Sequence, residues 1–258
     1  MKKSENKTIC APKVLLACEE SQAVTIEMRK IGIEAYSCDI LPCSGGHPEW
    51  HIQGNVFNVL NPENDGELTA ISFWTMDDEI HILDKWDMII AFPPCTYLTA
   101  TGNRWFNIER YGEKAIERAK QRELAVQFVE KIWNAKCENI VIENPVGYLN
   151  THFNKPTQII HPYYFADFDG DENCERKATC LWIKGKMPPL TRTNNTAQPR
   201  IIAYKNGKGT DSPWHLNTIG LPPAERAIAR AKTFPGVAKA MSDQWGKLLL
   251  KTTEQREV

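Results

Sequence analysis

The chain is predicted to fold as an α/β domain: a mostly parallel sheet with helices on both faces. Three observations carry that expectation. The runs Lys13 to Ala17, Met88 to Phe92 and Asn139 to Glu143 are continuously apolar at their centres, as strands buried on both faces of a parallel sheet are. Glu113 to Ala135 repeats Ala115, Ala119, Leu124, Ala125, Phe128, Val129 and Ile132 at helical spacing, with charges on the other face. The first strand, a short helix and a second strand, Glu34 to Cys38, also follow one another as a βαβ unit.

Bulk properties suit one large domain, or one domain with a small appendage. The 258 residues are 42% hydrophobic and 24% charged, ordinary values for a globular chain with a sizeable core. A net charge of −1 gives no global attraction to nucleic acid or anionic membrane, although a basic groove can sit on a neutral protein. No apolar run reaches membrane-spanning length, and the opening MKKSENKT lacks the apolar core of a signal peptide, so a cytoplasmic protein with no membrane partner is expected. The eight cysteines show no CxxC pair, which fits free thiols in a reducing compartment. Cys174 and Cys180 flank a charged turn, but zinc there would need two more ligands, and no metal is expected.

In chain order, residues 1–11 read as a polar tail. Lys13 to Ala17 is followed by Cys18-Glu19-Glu20-Ser21, with Ser21 a plausible N-cap for a helix carrying Val24, Ile26, Met28 and Ile31 and ended by Gly32. The second strand stops at Asp39, which reads either as a carboxylate for ribose hydroxyls or as a capping residue. In the loop 42–52, His47 and His51 read as loop packing more readily than as metal ligands, and its Trp50 as a base-stacking or core-capping ring. Residues 57–84 show no clear period; one helix and an irregular lobe are expected. Their Asp77-Asp78-Glu79 run reads as a solvated face rather than a magnesium site.

The third strand ends at Pro93-Pro94, which leaves Cys95 on a stiff turn at a strand's carboxyl end, where ligands collect in open α/β sheets. Such placement suits a nucleophile, exposed yet fixed in direction; a buried structural thiol is the alternative. Residues 96–111 form a polar, aromatic loop of a length common in lids. The strand Asn139 to Glu143 delivers Glu143 to its own tip before Asn144-Pro145 breaks it, so a thiol and a carboxyl are expected in one pocket. Further strands are predicted at Gln158 to Tyr164 and Thr179 to Ile183, the latter preceded by Arg176 and Lys177. From Gly185 to Pro222 the chain is loop-like and basic (Arg192, Arg200, Lys205, Lys208). Helices then open at Pro223 and run from Val237 to Lys251.

In this order the motifs resemble those of the cytosine-C5 DNA methyltransferase family, over most of the chain and most closely its compact phage and prophage members. Phe92-Pro93-Pro94-Cys95 is similar to the family's Pro-Cys nucleophile motif, and Glu143-Asn144-Pro145-Val146-Gly147 to its Glu-Asn-Val motif. Val14 to Ser21 with Asp39 resembles the S-adenosylmethionine half-site, Gln53-Gly54-Asn55-Val56 the next segment, Arg176 or Lys177 the basic motif, and Phe234-Pro235 and Gln244-Trp245-Gly246 the closing motifs. Three departures stand out. Cys18-Glu19-Glu20-Ser21 replaces a glycine-rich turn, Lys247 stands where the family often has Asn, and residues 185–222 replace a large target-recognition domain.

The resemblance implies a Rossmann-like S-adenosylmethionine-dependent methyltransferase fold: catalytic domain 12–184, short basic loop 185–222, and C-terminal helices 223–258. It implies Cys95, Glu143, Arg176 and Lys177 as catalytic residues, with Cys18, Glu19, Glu20, Ser21, Asp39, Ile40, Asn55, Val56 and Pro93 at S-adenosyl-L-methionine. Pro94, Thr96, Arg104, Asn144, Gln244 and Gly246 are implied at the substrate. The expected activity is methyl transfer to C5 of cytosine in DNA through a Cys–C6 adduct, without an obligate protein partner. The same chemistry on a free cytosine nucleotide is the alternative, and a catalytically weak binding module of this fold the third reading. A dinucleotide oxidoreductase is disfavoured, since no GxGxxG is present.

Overall fold

The computed structural model describes residues 11–61, 63–65, 68–168, 170–204, 207 and 209–256. Strand β1 (Lys13–Ala17) leads through α1 (Ala23–Lys30) to β2 (Glu34–Asp39), and a loop then delivers β3 (His51–Gln53). A separate small sheet follows: β4 (Glu63–Asp65), β5 (Leu68–Trp74) and β6 (Ile80–Leu83). The main sheet resumes at β7 (Met88–Ala91) and crosses through α2 (Ile108–Tyr111) and α3 (Glu113–Trp133) to β8 (Asn139–Pro145). After α4 (Leu149–His152) come β9 (Gln158–Ile160) and β10 (Thr179–Lys184). A hairpin, β11 (Ile202–Ala203) and β12 (Thr210–Asp211), precedes α5 (Pro213–Asn217), α6 (Pro223–Ala231), α7 (Pro235–Met241) and α8 (Lys247–Arg256).

The seven-stranded sheet has the order β3-β2-β1-β7-β8-β10-β9. The first five strands are parallel and β10 is antiparallel to both its neighbours, so the fold is a mostly parallel, Rossmann-like α/β sheet. The chain winds outward from β1 to β3 and then returns to place β7 against the other side of β1. That reversal opens a crevice at the carboxyl ends of β1 and β7, the place where open α/β sheets bind ligands.

Alternation of side chains divides the core in two. Leu15, Ile89, Ile140 and Ile142 face Val126, Val129 and Ile132 of α3, together with Ile71 and Phe73 of the small sheet. Val14, Leu16, Met88, Ile90 and Val141 face Val24 and Met28 of α1 and Met241 and Trp245 near the C-terminus. Both faces of β1 are thus covered, which is why it reads as continuously apolar.

Several elements differ from the sequence expectation. Residues 57–84 are mainly strand: Ile71 and Phe73 point inward while Ser72 and Trp74 point out, and a turn with Asp78 at φ +65° joins β5 to β6. Asp77 is spent in that turn, accepting from Thr75 Oγ1 at 2.6 Å. In α3, Ala119 and Leu124 are exposed, because only the second half of the helix lies on the sheet. The strand predicted from Gln158 to Tyr164 stops at Ile160; Pro162 has no N–H for a ladder and opens a 3-10 turn, Pro162–Phe165. The last helix is two, joined by a π turn at Ser242–Gly246, where Trp245 Nε1 donates to Pro188 O at 2.8 Å. Residues 185–222 contain β11, β12 and α5, while Lys205, Lys208 and residues 1–10 lie outside the described residues. Among the described residues no helix is long and apolar enough to cross a membrane.

Candidate active site

The crevice opens into a cavity of about 890 Å³. Its β1–β2 wall holds Cys18, Glu19, Glu20, Ser21, Asp39 and Ile40, with Asn55 and Val56 beyond β3. The turn after β1 has no glycine, and Cys18 itself takes the left-handed conformation, φ +62°, at a cost of order 1–3 kcal/mol. Two backbone bonds hold it there, Cys18 N and Glu19 N both donating to Cys38 O at 2.7 and 3.3 Å.

Glu19, not Ser21, caps α1. Gln22, not Ser21, occupies the N-cap position, left-handed at φ +57°, and its side chain makes no cap bond. The Glu19 carboxylate accepts instead from Val24 N (2.7 Å), Thr25 N (3.2 Å) and Thr25 Oγ1 (2.7 Å). Burial nevertheless pushes its carboxyl up to about 7, against those hydrogen bonds. Asp39 ends β2 half-exposed to the cavity; burial raises its pKa despite the bond it accepts from Leu41 N at 2.9 Å.

Across the crevice, β7 runs into Pro93-Pro94 and presents Cys95, Pro94 and Thr96 to the cavity. Burial first, and the Glu143 carboxyl second, raise the Cys95 thiol, while the Lys177 ammonium opposes them. Glu143 lies behind this wall in a narrow cleft with Lys177 and Thr179; Thr233 lines both spaces and separates them. Burial raises the Glu143 carboxyl, and the Lys177 charge and a Thr179 hydrogen bond only partly offset it. The thiol and the carboxyl, expected in one pocket, thus line adjoining spaces at neighbouring strand tips, and the Lys177 charge acts on both.

Several residues expected in the site serve to build it. Asn144 is 1% exposed and donates through Nδ2 to Pro93 O at 2.9 Å, so that Asn144 and Pro93 lock two strand tips together and do not line the cavity. Gln244 closes on Thr191, donating to its O and accepting from its N (2.8 and 2.7 Å). Gly246 lets the π turn approach α1: an added Cβ would lie 2.7 Å from Ile31 Cδ1 and 3.0 Å from the Met28 sulfur. Arg176 turns away from the reactive corner toward His161 and Tyr163, the latter ring lying 5.5 Å from the Arg192 guanidinium. Of the two basic candidates, Lys177 alone joins Cys95 and Glu143.

His51 is buried, its Nε2 donating to Leu41 O at 3.0 Å and its Nδ1 facing the Ser37 hydroxyl at 2.8 Å. His47 stacks on Trp50 at 3.9 Å, so neither histidine nor this tryptophan enters the cavity. No group of three potential metal ligands occurs among the described residues.

The rest of the wall is formed mostly by residues outside the expected site, with Arg104, implied at the substrate, among them. Segment 96–106 contributes Thr99, Gly102, Arg104 and Trp105, and is pinned to α3 by Arg118 Nη2 on Thr96 O (3.0 Å) and Arg122 Nε on Tyr97 O (2.8 Å). The opposite roof is made by His215, Arg226, Arg230 and Lys232. Arg226 and Arg230 were legible as an i, i+4 pair on a helix; nothing in the pattern placed that helix over the crevice. No protein-family model and no curated protein sequence matches the chain.

Proposed function

We propose that the protein is an S-adenosylmethionine-dependent methyltransferase acting on C5 of cytosine in DNA. The observation that carries the reading is Cys95 and Glu143 on adjacent strand tips with Lys177 beside both. The cofactor side supports it independently. The N-terminus of α1 is already capped by the Glu19 carboxylate, which takes the Val24 and Thr25 amides that a pyrophosphate would use, and this disfavours a dinucleotide. Glu20 and Asp39 add acidic groups, which suit a cationic sulfonium and amine, with Asp39 placed for ribose hydroxyls. The residues present thus fit S-adenosylmethionine, which supplies an electrophilic methyl group when bound.

On this reading the Cys95 thiolate adds to C6, and the bonding pair released by the ring makes C5 nucleophilic. Glu143, whose carboxyl burial inclines to hold its proton, donates to N3 when protonated and stabilises the charge that the addition creates. Lys177 favours the thiolate of Cys95 and faces the carboxyl. A carboxylic acid opposite N3 and the 4-amino group selects cytosine over uracil. Five cationic side chains on the cavity wall, Arg104, Arg118, Arg226, Arg230 and Lys232, suit a polyanion; a duplex must flip its base out. The cavity's limited size, roofed by residues 215–233, favours the second reading, a free cytosine nucleotide.

The test is transfer of tritium from labelled S-adenosylmethionine to duplex DNA, single-stranded DNA, dCMP and dCTP. Label in DNA is expected, and C95S is expected to lose at least about a thousandfold in turnover while keeping cofactor affinity. Label in nucleotide alone would select the second reading. Label nowhere, or full activity in C95S, would refute the assigned chemistry.

A further inference from the structure

We infer that His215, oriented by Asp211, is the general base that removes the C5 proton in the reaction proposed above. The inference rests on that reading. It begins from a dyad that no motif announced, supplied by the short segment standing where a recognition domain is expected.

His215 Nδ1 pairs with Asp211 Oδ2, and Asp211 also accepts from Tyr204 Oη (2.8 Å) and Ser212 N (2.8 Å). Burial works to raise the Asp211 carboxyl, but the hydrogen bonds from Tyr204, His215 and Ser212 together hold it below the ordinary carboxylate range. An ionised carboxylate only accepts, so Nδ1 carries a proton toward it, and in the neutral imidazole the free lone pair is on Nε2. Nε2 has no hydrogen-bond partner among the described residues, and the His215 side chain is 36% exposed where it lines the cavity that holds Cys95. This is the arrangement of an oriented proton acceptor, with the carboxylate fixing the tautomer and stabilising the imidazolium.

The carboxylates that line the cavity lie on its other side. Glu19 spends both oxygens on α1, and Glu20 and Asp39 belong to the β1–β2 side, with Asp39 bound to Leu41 N. The dyad sits close to the reactive corner. Lys177 Nζ lies 5.3 Å from the ring centre of neighbouring Trp214 and donates to Arg230 O at 3.1 Å, while Arg230 Nη2 donates to His215 O at 3.3 Å. The groups around the dyad are Tyr204 from the hairpin, on Asp211, and Arg230 from α6, on the His215 carbonyl; Lys177 lies one contact further, beside Trp214.

The step balances. Once C5 carries its methyl group, His215 Nε2 takes the C5 proton. The C5–H bonding pair becomes the C5–C6 double bond, and the C6–sulfur pair leaves with Cys95 as thiolate. The imidazolium then returns its proton to solvent.

The test uses the full chain with duplex DNA containing [5-3H]cytosine and, separately, [5-3H]dCMP. For whichever substrate the wild type methylates, H215Q is expected to release tritium about 100-fold more slowly, and D211N about 10-fold. Both are expected to accumulate a methylated adduct on Cys95, detected by mass spectrometry of the acid-quenched enzyme. Arg230 anchors the segment through the His215 carbonyl, so H215Q keeps that tether; thermal melting of both variants checks the fold. Wild-type release by H215Q, or slowed release with no accumulated adduct, would overturn the inference. A wild type that methylates neither substrate would instead overturn the underlying reading.

Discussion

Lys177 stands between two buried acids, and its charge sets how each holds its proton. It lowers both Cys95 and Glu143, while burial raises both and Glu143 further raises Cys95. Removing either neighbour should therefore move Cys95 in opposite directions. In K177Q the pH at which Cys95 becomes reactive toward iodoacetamide should rise; in E143Q it should fall. Site-resolved mass spectrometry separates Cys95 from Cys18 and Cys43, which are also partly exposed. Shifts of the same sign in both variants would contradict the arrangement. Sequence made Arg176 and Lys177 equal candidates, because neighbours along a chain leave in different directions and only the β10 register decides which one faces β8.

At the level of elements, two strand-tip loops are stitched into one platform. Thr99 bridges to Gly147, Tyr148 N donates to Leu98 O at 2.7 Å, and Asn144 Nδ2 donates to Pro93 O. The segment after the nucleophile is thus held by the segment after the acid. Gly147 is required by that approach, for a Cβ there would lie 2.0 Å from Leu98 O, a backbone atom that cannot swing aside. G147A is expected to cost about 1–3 kcal/mol or more in urea unfolding and to depress kcat through a displaced Cys95. Unchanged stability and kcat would show that the two loops are not coupled. The Glu-Asn-Pro-Val-Gly string was visible from the start, but Asn144 read as a substrate contact because hydrogen-bonding capacity does not say which partner the fold supplies.

Stability is a property of the whole molecule, and here one buried carboxyl gives it a distinctive pH dependence. The folded chain binds the Glu19 proton more tightly than the unfolded chain, with a value of about 7 against an ordinary 4.5. Its ionisation therefore costs nothing below the lower value and progressively destabilises the fold as pH rises to the upper one. The stability of the wild type minus that of E19Q should fall between about pH 4.5 and 7, measured by urea unfolding at several pH values. A flat difference across that window would refute the buried, proton-retaining Glu19. The molecule's net charge of −1 also conceals a local asymmetry, with acidic groups on the β1–β2 wall of the cavity and five cationic side chains elsewhere on its wall.

The amino-acid order alone determined the strands of the sheet's centre and the residues at their tips. Apolar runs buried on both faces leave no other solution, and a proline or polar residue at each end marks where burial stops. Cys95, Glu143 and Asp39 were therefore legible, as was the long α3. The small sheet of residues 63–83 escaped notice because its alternation spans few residues between turns, although its strands pair with their immediate neighbours in the chain. The rest was decided by tertiary structure. Glu19 became the cap of α1 because Cys18 and Gln22 adopt left-handed turns; Asn144 and Gly147 became fasteners because two loops meet. The Asp211–His215 dyad reached the cavity because α5 and α6 fold back over the crevice. Periodicity reports what a segment buries, whereas a site depends on which segments are brought together, and that is settled only by the packing of the whole chain.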